Sequence, residues 1–173
     1  MNMSEEIRIY VADLAAYNNG VLHGVWIDAT DDLDTIQDQI NAMLKATPID
    51  EVAEEYAIHD YEGFGGYRVS EYEGIEQIHE IACLIGEYPD VGGELLDYYS
   101  DVDEARKAME ENYCGCHKSV ADYAQDLTEQ TGDIPKHLEC YIDYSRMGYD
   151  MEVGGDIFTI ETGHEEVHIF WSR

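Results

Sequence analysis

Residues 7–29 read IRIYVADLAAYNNGVLHGVWIDA, and this stretch decides the fold. Its two ends, Ile7–Val11 and Gly24–Ala29, are rich in β-branched and aromatic residues, which is typical of strands. The polar run Tyr17–Gly20 between them predicts a turn. The stretch therefore predicts a β-hairpin with a long connection.

The sequence after the hairpin predicts a helix and a third strand. Apolar residues recur at helical spacing between Thr30, which can cap the helix, and Pro48, which marks its end. Glu55–Tyr61 alternates enough to form a strand, and glycines follow it. We therefore expect residues 1–72 to form a small sheet covered by one helix.

The middle of the chain is predicted to be helical. Ile75–Ile85 has the apolar spacing of an amphipathic helix that ends at Gly86, and two short helices are expected at Gly92–Tyr99 and Val102–Glu111. A helical domain over residues 73–110 is too short for a large core of its own, so we expect an elongated molecule.

The remaining residues, 111–173, are predicted to mix helices and strands. A helix is expected at Ser119–Thr131, and Pro135 opens further helical turns. Two C-terminal strands and the turn between them are predicted at Asp156–Glu161, Gly163 and Val167–Trp171. The predicted fold class is α+β, with three small domains in one chain.

Charge is the dominant feature of the composition. The 173 residues contain 39 Asp and Glu against 9 Lys and Arg, for a formal net charge of −30. Self-repulsion of this size destabilises a compact state, so the acidity calls for an explanation. Three are open: generic or halophilic acidity, calcium binding at several sites, and imitation of a polyanion such as DNA.

The charge is distributed along the whole chain. The three predicted domains carry net charges of −12, −9 and −9, which favours an extended anionic surface over an acidic tail or a single metal loop. Duplex DNA carries one charge per roughly 1.7 Å of its axis, so 30 excess charges correspond to about 50 Å of duplex and a twofold dimer to about 100 Å. The acids predicted to form the surface are Asp31, Asp32, Asp34, Asp38, Glu76, Glu80, Asp97, Asp101, Asp103, Asp122, Asp126 and Glu129.

Candidate metal ligands and nucleophiles are few. Cys114, Cys116 and His117, with Cys140, contain only one close ligand pair, whereas structural zinc sites usually have two. Asp28–Asp34 lacks the glycine and the twelfth-position glutamate of a calcium loop. We therefore predict no catalytic residue, no metal and no cofactor.

The expected location is the cytoplasm. No apolar stretch approaches the roughly 18 residues of a membrane span, and the first ten residues lack the pattern of a signal peptide.

Aromatic residues are concentrated near the C-terminus. They exceed what so short a segment needs for its own core, and aromatic side chains are enriched at interfaces. We therefore predict a homodimer through residues 111–173. The candidate interface residues are Tyr141, Tyr144, Tyr149, Phe158, Phe170 and Trp171.

Two groups of residues resemble a known family. The first contains Ile9–Leu14, Tyr17–Asn18, Gly24–Trp26 and Tyr56–Glu62. The second contains Asp133, Ile134 and Pro135, then Tyr141, Ile142, Asp143 and Tyr144, then Gly148, Tyr149 and Asp150. The first group resembles the opening domain of the ArdA antirestriction proteins, and the second resembles the antirestriction motif of that family.

The resemblance implies a function and a partner. It implies a homodimer, encoded on a mobile genetic element, that mimics bent B-form DNA and occupies the DNA-binding groove of type I restriction-modification enzymes. It also implies three small domains with dimerisation through the last one. The partner would be the methyltransferase core of such an enzyme, with no nucleic acid bound.

We therefore predict an antirestriction protein that performs no catalysis. An acidic calcium-binding or protein-interaction module is the alternative, and a hydrolase that uses paired carboxylates or a cysteine is a third possibility.

Overall fold

The computed structural model describes residues 6–172, and it divides the chain into two compact units. The first unit ends at Val102 and the second begins at Asp103. Each unit combines one antiparallel sheet of three strands with helices, which confirms the α+β class. The division into domains at residues 1–72, 73–110 and 111–173 stays a prediction.

The first unit begins with the sheet predicted from the opening stretch. Its elements are β1 (Arg8–Asp13), α1 (Leu14–Asn18), β2 (Gly24–Asp28), α2 (Leu33–Lys45), β3 (Tyr56–Glu62), α3 (Ile75–Glu87), α4 (Gly92–Tyr99) and the first residue of α5 (Val102–Lys107). The strand order is β2-β1-β3. Arg8 lies opposite Asp28 on one side and opposite Glu62 on the other.

One face of this sheet is covered by helices. Ile9 and Ile27 are fully buried, as are Ile36 and Ile40 of α2, so the apolar stripe of α2 packs on the alternating apolar positions of the strands. Helix α3 buries its own apolar stripe, and His79 on this helix bonds to the carbonyl of Ala29 at 3.1 Å.

The second unit contains the other sheet. Its elements after α5 are a π-helical turn (Ala108–Asn112), β4 (Tyr113–His117), α6 (Val120–Thr131), a 3-10 helix (Lys136–Tyr141), α7 (Tyr144–Val153), β5 (Ile157–Gly163) and β6 (Glu166–Trp171). The strand order is β4-β6-β5. Tyr123, Ile157, Val167 and Ile169 form the core.

Several predicted boundaries were wrong. Thr30 does not cap α2, because its hydroxyl and its N–H both bond to Asp28, and the N-cap residue is Asp32. Helix α3 continues through Gly86 to Glu87, and the helix predicted at Val102–Glu111 becomes a π-helical turn at Ala108. The strand predicted to begin at Glu55 begins one residue later, at Tyr56.

Two elements and one turn differ from the prediction. The turn predicted at Tyr17–Gly20 is confined to Asn19 and Gly20, because helix α1 extends to Asn18. The first turn of α1 is capped by the carboxylate of Asp13. Strand β4 was not predicted, because the segment Tyr113–His117 lacks a clear alternation. Gly163 is the last residue of β5, and Glu165 takes the positive φ of the turn that follows.

Candidate functional site

The predicted acidic residues lie almost entirely on the surface. Eleven of the twelve are exposed, and Asp31 is partly buried. They lie within both units, because four belong to the second unit and the others to the first. The exposed ones are Asp32, Asp34, Asp38, Glu76, Glu80, Asp97, Asp101, Asp103, Asp122, Asp126 and Glu129.

Helices α2 and α3 each present a pair of these acids on their solvent face. Asp34 and Asp38 lie four residues apart on α2, and Glu76 and Glu80 have the same spacing on α3. Residues at this spacing are neighbours on a helix, with Cβ atoms about 5–6 Å apart. Each helix therefore projects two like charges side by side, opposite its buried apolar stripe.

Helix α6 shows the same arrangement in the second unit. Asp122 and Asp126 are exposed at the same spacing and Glu129 continues the face, while Tyr123 and Ala124 are buried on the opposite side. Ser119 caps the helix by accepting the N–H of Asp122 at 3.1 Å. The acidic face of α6 therefore lies on a helix whose N-terminus is capped and whose opposite face is buried.

The charge excess is larger in the first unit. Up to Val102 the chain has 23 acidic residues and 3 basic ones, for a net charge of −20, and the remainder has 16 and 6, for −10. Nine cations cannot neutralise 39 carboxylates. Most of the anionic surface therefore has no basic side chain of the same protein available to it.

The second motif segment, residues 133–150, contains the residues that resemble the antirestriction motif. Some of them stabilise the fold, and others lie on the surface. Asp143 is the N-cap of α7 and accepts the N–H of Arg146 at 2.9 Å. Gly148 is buried where α7 approaches Val120 of α6. Asp133, Pro135, Tyr141, Tyr149 and Asp150 are exposed, whereas Ile134, Ile142 and Tyr144 are partly buried.

A polar cleft lies between α6 and the start of the motif segment. Its volume is about 390 Å³. Its walls include three carboxylates and the ring of Tyr144, and the lining residues are Gln125, Glu129, Gly132, Asp133, Ile134, Glu139 and Tyr144. The cleft is open and anionic, and it belongs to the same acidic surface as α6.

The predicted dimer-interface residues separate into core and surface groups. Phe170 is 0% exposed and stacks on Phe158 with ring centroids 5.0 Å apart, so it belongs to the core of its own unit. Trp171 packs on the other face of the sheet, against the cluster of Tyr123, Ile157, Val167 and Ile169. Tyr141 and Tyr149 are 80% and 62% exposed. Only the second group has substantial surface to offer a partner, and Phe170 has none.

Cys114 and His117 form local contacts, whereas Cys116 and Cys140 are exposed. His117 bonds through Nε2 to the carbonyl of Cys114 at 2.9 Å, and its Nδ1 lies 3.7 Å from a carboxylate oxygen of Asp126. Burial of Tyr123, together with its hydrogen bond to Cys114, raises the pKa of its phenol. Among residues 6–172, no three His, Cys, Asp or Glu side chains come together in a way that could hold a metal ion.

One surface cluster was not predicted. Trp26 is 38% exposed on the outer face of the first sheet, and the guanidinium of Arg8 lies over its ring, 5.2 Å from the centroid. Arg8 also forms an ion pair with Glu62. The alternation of β1 indicates that the side chain of Arg8 points away from the core. Its contacts with Trp26 and Glu62 could not be predicted, because they depend on the register of the strands.

Helices between residues 6 and 172 are all too short or too polar to traverse a lipid bilayer.

Comparison with known protein families covers nearly the whole chain. No curated protein matches it significantly. A family model described as antirestriction protein (ArdA) matches residues 9–166, which include the β1–β3 sheet except for Arg8, the acidic helices and the second motif segment. The chain therefore belongs to the ArdA family of antirestriction proteins.

Proposed function

We propose that this antirestriction protein is a DNA mimic that occupies the DNA-binding groove of type I restriction-modification enzymes. Family membership implies an inhibitor with a restriction enzyme as its partner. The DNA mimicry and the type of enzyme go beyond family membership. They are supported by the negative net charge of the chain and by the position of the acidic residues on the helices.

The observation that carries the proposal is the like-charged pair on each of three helices. Pairs of like charge at this spacing destabilise a helix by about 0.2–0.5 kcal/mol. The sequences of α3 and α6 contain no Lys or Arg that could relieve the repulsion, and α2 has only Lys45 at its end. A basic partner that inserts lysines or arginines between the carboxylates would convert this repulsion into attraction.

The spacing of the pairs is compatible with a phosphate backbone. Four residues of α-helix rise about 6 Å, and one strand of B-form DNA carries a phosphate every 3.4 Å or so of its axis. A helical pair therefore presents about one charge for every two nucleotides of a strand. Rigid helices also hold these charges in place before binding, which lowers the ordering cost.

Mimicry of the backbone predicts inhibition that ignores target sequence. Phosphate contacts position a protein on DNA without reading bases. A competitor for those contacts should therefore inhibit enzymes with different recognition sequences, and its binding should weaken as salt increases.

A competition experiment tests the proposal. Labelled target DNA is bound to each of two type I methyltransferase cores that recognise different sequences, and the protein is added at increasing concentration and at several salt concentrations. We expect loss of bound DNA from both cores, with weaker competition at higher salt. A ternary complex of protein, core and DNA would contradict the proposal.

We also propose that the inhibitor is a homodimer formed through its second unit. Tyr149 and Val153 lie four residues apart on α7, so they share one face, and they are 62% and 67% exposed. Tyr141 and Leu138 in the preceding 3-10 helix are exposed as well. Aromatic side chains are enriched at interface cores, and apolar side chains exposed together on one face often mark an interaction site.

Salt should act on the dimer and on enzyme binding in opposite directions. Two chains of charge −30 repel each other, so we expect the dimer to dissociate more readily when screening is lost at low salt. Light scattering across a salt series measures this, with Tyr149→Asp as the disrupting variant and Tyr72→Asp as the exposed control. A fully inhibitory monomer at every salt concentration would exclude the dimer.

A further inference from the structure

The outer face of the first sheet combines aromatic rings with carboxylates. In one row across the strands, Trp26 lies beside Tyr10, with ring centroids 5.4 Å apart, and Asp60 lies on the other side of Tyr10. The adjacent row contains Asp28, Arg8 and Glu62. Side chains two residues apart on a strand share a face, so all six project to the same side.

The Tyr10 ring packs over Gly24 of the neighbouring strand. A Cβ at Gly24 would lie 2.8 Å from the Cζ atom and the hydroxyl oxygen of Tyr10, so the ring covers the bare backbone of this glycine. Tyr10 in turn supports one side of Trp26. The indole of Trp26 therefore lies between the ring of Tyr10 and the guanidinium of Arg8 and contacts both.

Arg8 occupies a cradle made of Trp26 and Glu62. Its guanidinium lies over the indole, and its ion pair with Glu62 joins neighbouring strands. Glu6 approaches the same guanidinium at 3.5 Å. An aromatic face beside a carboxylate suits arginine in particular, because the guanidinium is planar, stacks on rings and donates paired hydrogen bonds.

This contact remains open to exchange. The side chains of Arg8 and Glu62 are 36% and 46% exposed, and Trp26 is 38% exposed. Ion pairs at this exposure contribute little to stability. A second guanidinium arriving from solvent could therefore replace Arg8 at small cost.

We infer that this cradle is a docking site for an arginine of the inhibited enzyme, and that Arg8 is its place-holder in the free protein. The inference rests on the proposed function, since it assigns one contact within that interface. DNA-binding enzymes use arginine against both phosphates and bases. Glu62 offers an anion in place of a phosphate, and Trp26, the other partner of Arg8, adds an aromatic face on which a guanidinium can stack.

The enzyme's arginine would gain more from the cradle than Arg8 does. Docking removes water from the face, and cation–π contacts strengthen when they are desolvated. Tryptophan, tyrosine and arginine are also the residues most enriched among binding hot spots. The surrounding net charge of the unit, −20, favours an incoming cation over a neutral group.

The test compares two variants that remove the same charge. Arg8→Ala vacates the cradle, whereas Arg68→Ala removes an exposed cation in the loop after β3. Affinity for a type I methyltransferase core is measured by competition with labelled DNA. We expect Arg8→Ala to bind at least about threefold more tightly than Arg68→Ala, because only the former frees the site.

Variants of the ring complete the experiment. We expect Trp26→Ala to bind about tenfold more weakly than the wild type, or about 1.4 kcal/mol. Trp26→Leu keeps apolar bulk without an aromatic face and should lose affinity as well. When Trp26 is already replaced by alanine, Arg8→Ala should increase the affinity for the methyltransferase core no more than Arg68→Ala does. Thermal denaturation of every variant confirms that it is folded.

The outcomes separate this inference from the proposed function. If the wild type does not displace DNA, the proposed function is wrong. If the wild type displaces DNA while folded Trp26→Leu matches it, or Arg8→Ala and Arg68→Ala bind alike, only the docking site is wrong.

Discussion

Single residues explain why the second motif segment folds as it does. An added Cβ at Gly148 would lie 2.9 Å from Cγ1 of Val120 and 3.1 Å from its carbonyl carbon and oxygen. The absence of a side chain therefore sets how closely α7 approaches α6. The antirestriction-like motif thus contains at least one residue whose role is packing.

Gly148→Ala should destabilise the second unit. Alanine favours a helix over glycine by up to about 1 kcal/mol, but the new methyl group meets backbone atoms that cannot move alone, and overpacking typically costs about 1–3 kcal/mol. We expect the cost to exceed the gain and the free energy of unfolding to fall. Urea denaturation followed by circular dichroism measures this. Ser145→Ala, at an exposed site on the same helix, is the control and should be nearly neutral.

We expect Tyr67 to make the stability of the first unit sensitive to alkaline pH. Burial raises the pKa of its phenol, and the hydrogen bond to Glu73, at 2.5 Å, raises it further. The unfolded chain has an ordinary tyrosine pKa of about 10. Stability from the neutral phenol is therefore present below pH 10 or so and is lost as the pH rises through the folded pKa.

We expect Tyr67→Phe to flatten the loss of stability above about pH 10, because the variant has no proton to lose at this position. Denaturation curves across an alkaline pH series provide the measurement. Tyr72→Phe, at a residue 73% exposed, serves as the control. If the stability of Tyr67→Phe falls as steeply as that of the wild type at alkaline pH, another group causes the fall.

At the scale of elements, the helices have two faces with different roles. Helices α2, α3 and α6 bury apolar stripes against the cores and present acids to solvent. Helix α7 differs, because it exposes Tyr149 and Val153 and depends on the Asp143 cap for its start. Variants of Asp143 can therefore separate the effect of the capping hydrogen bond from the effect of the negative charge.

Asp143→Ala should shorten α7 and lower the free energy of unfolding by about 1 kcal/mol, because the N–H of Arg146 loses its acceptor. Asp143→Asn keeps a side-chain oxygen while removing the charge, so it should retain most of the stability. Chemical denaturation of both variants distinguishes the two roles. Equal losses would mean that the charge, and not the cap, stabilises this region.

At the scale of the whole molecule, inhibition should depend on the sum of many charges. Each contact of a phosphate mimic is a small part of the total, so Glu76→Gln or Glu129→Gln alone should change inhibition by less than about twofold. A loss of tenfold from either one, about 1.4 kcal/mol, would indicate a localised site instead.

Neutralising the three helical pairs together should abolish most of the inhibition. The variant changes Asp34, Asp38, Asp122 and Asp126 to Asn, and Glu76 and Glu80 to Gln. We expect a loss of more than about tenfold and a shallower salt dependence. Relief of repulsion offsets the lost dipole interaction of the acids in each first turn, so stability should change little. Replacing Gln37, Gln77 and Gln130 on the same helices by Ala is the control and should retain inhibition.

Local patterns made much of the fold predictable. The alternation in β1 and β2 and the apolar stripes of α2, α3 and α6 are periodic features that the sequence displays directly. Strand β4 escaped prediction because its pairing with β6, Tyr113 opposite Phe170, joins distant parts of the chain. The short helix α1 escaped because one capped turn, held by Asp13, is too brief to show a period.

The sequence by itself determined the α+β class, the family resemblance and the anionic character of the surface, since these follow from composition, period and motif. The tertiary structure alone decided which residues meet. Arg8 and Glu62 are 54 positions apart and come together through the register of β1 and β3. Phe170, an interface candidate by sequence, is buried against Phe158 because β5 and β6 pair. Contacts between distant residues depend on strand register and helix packing, which no local pattern encodes.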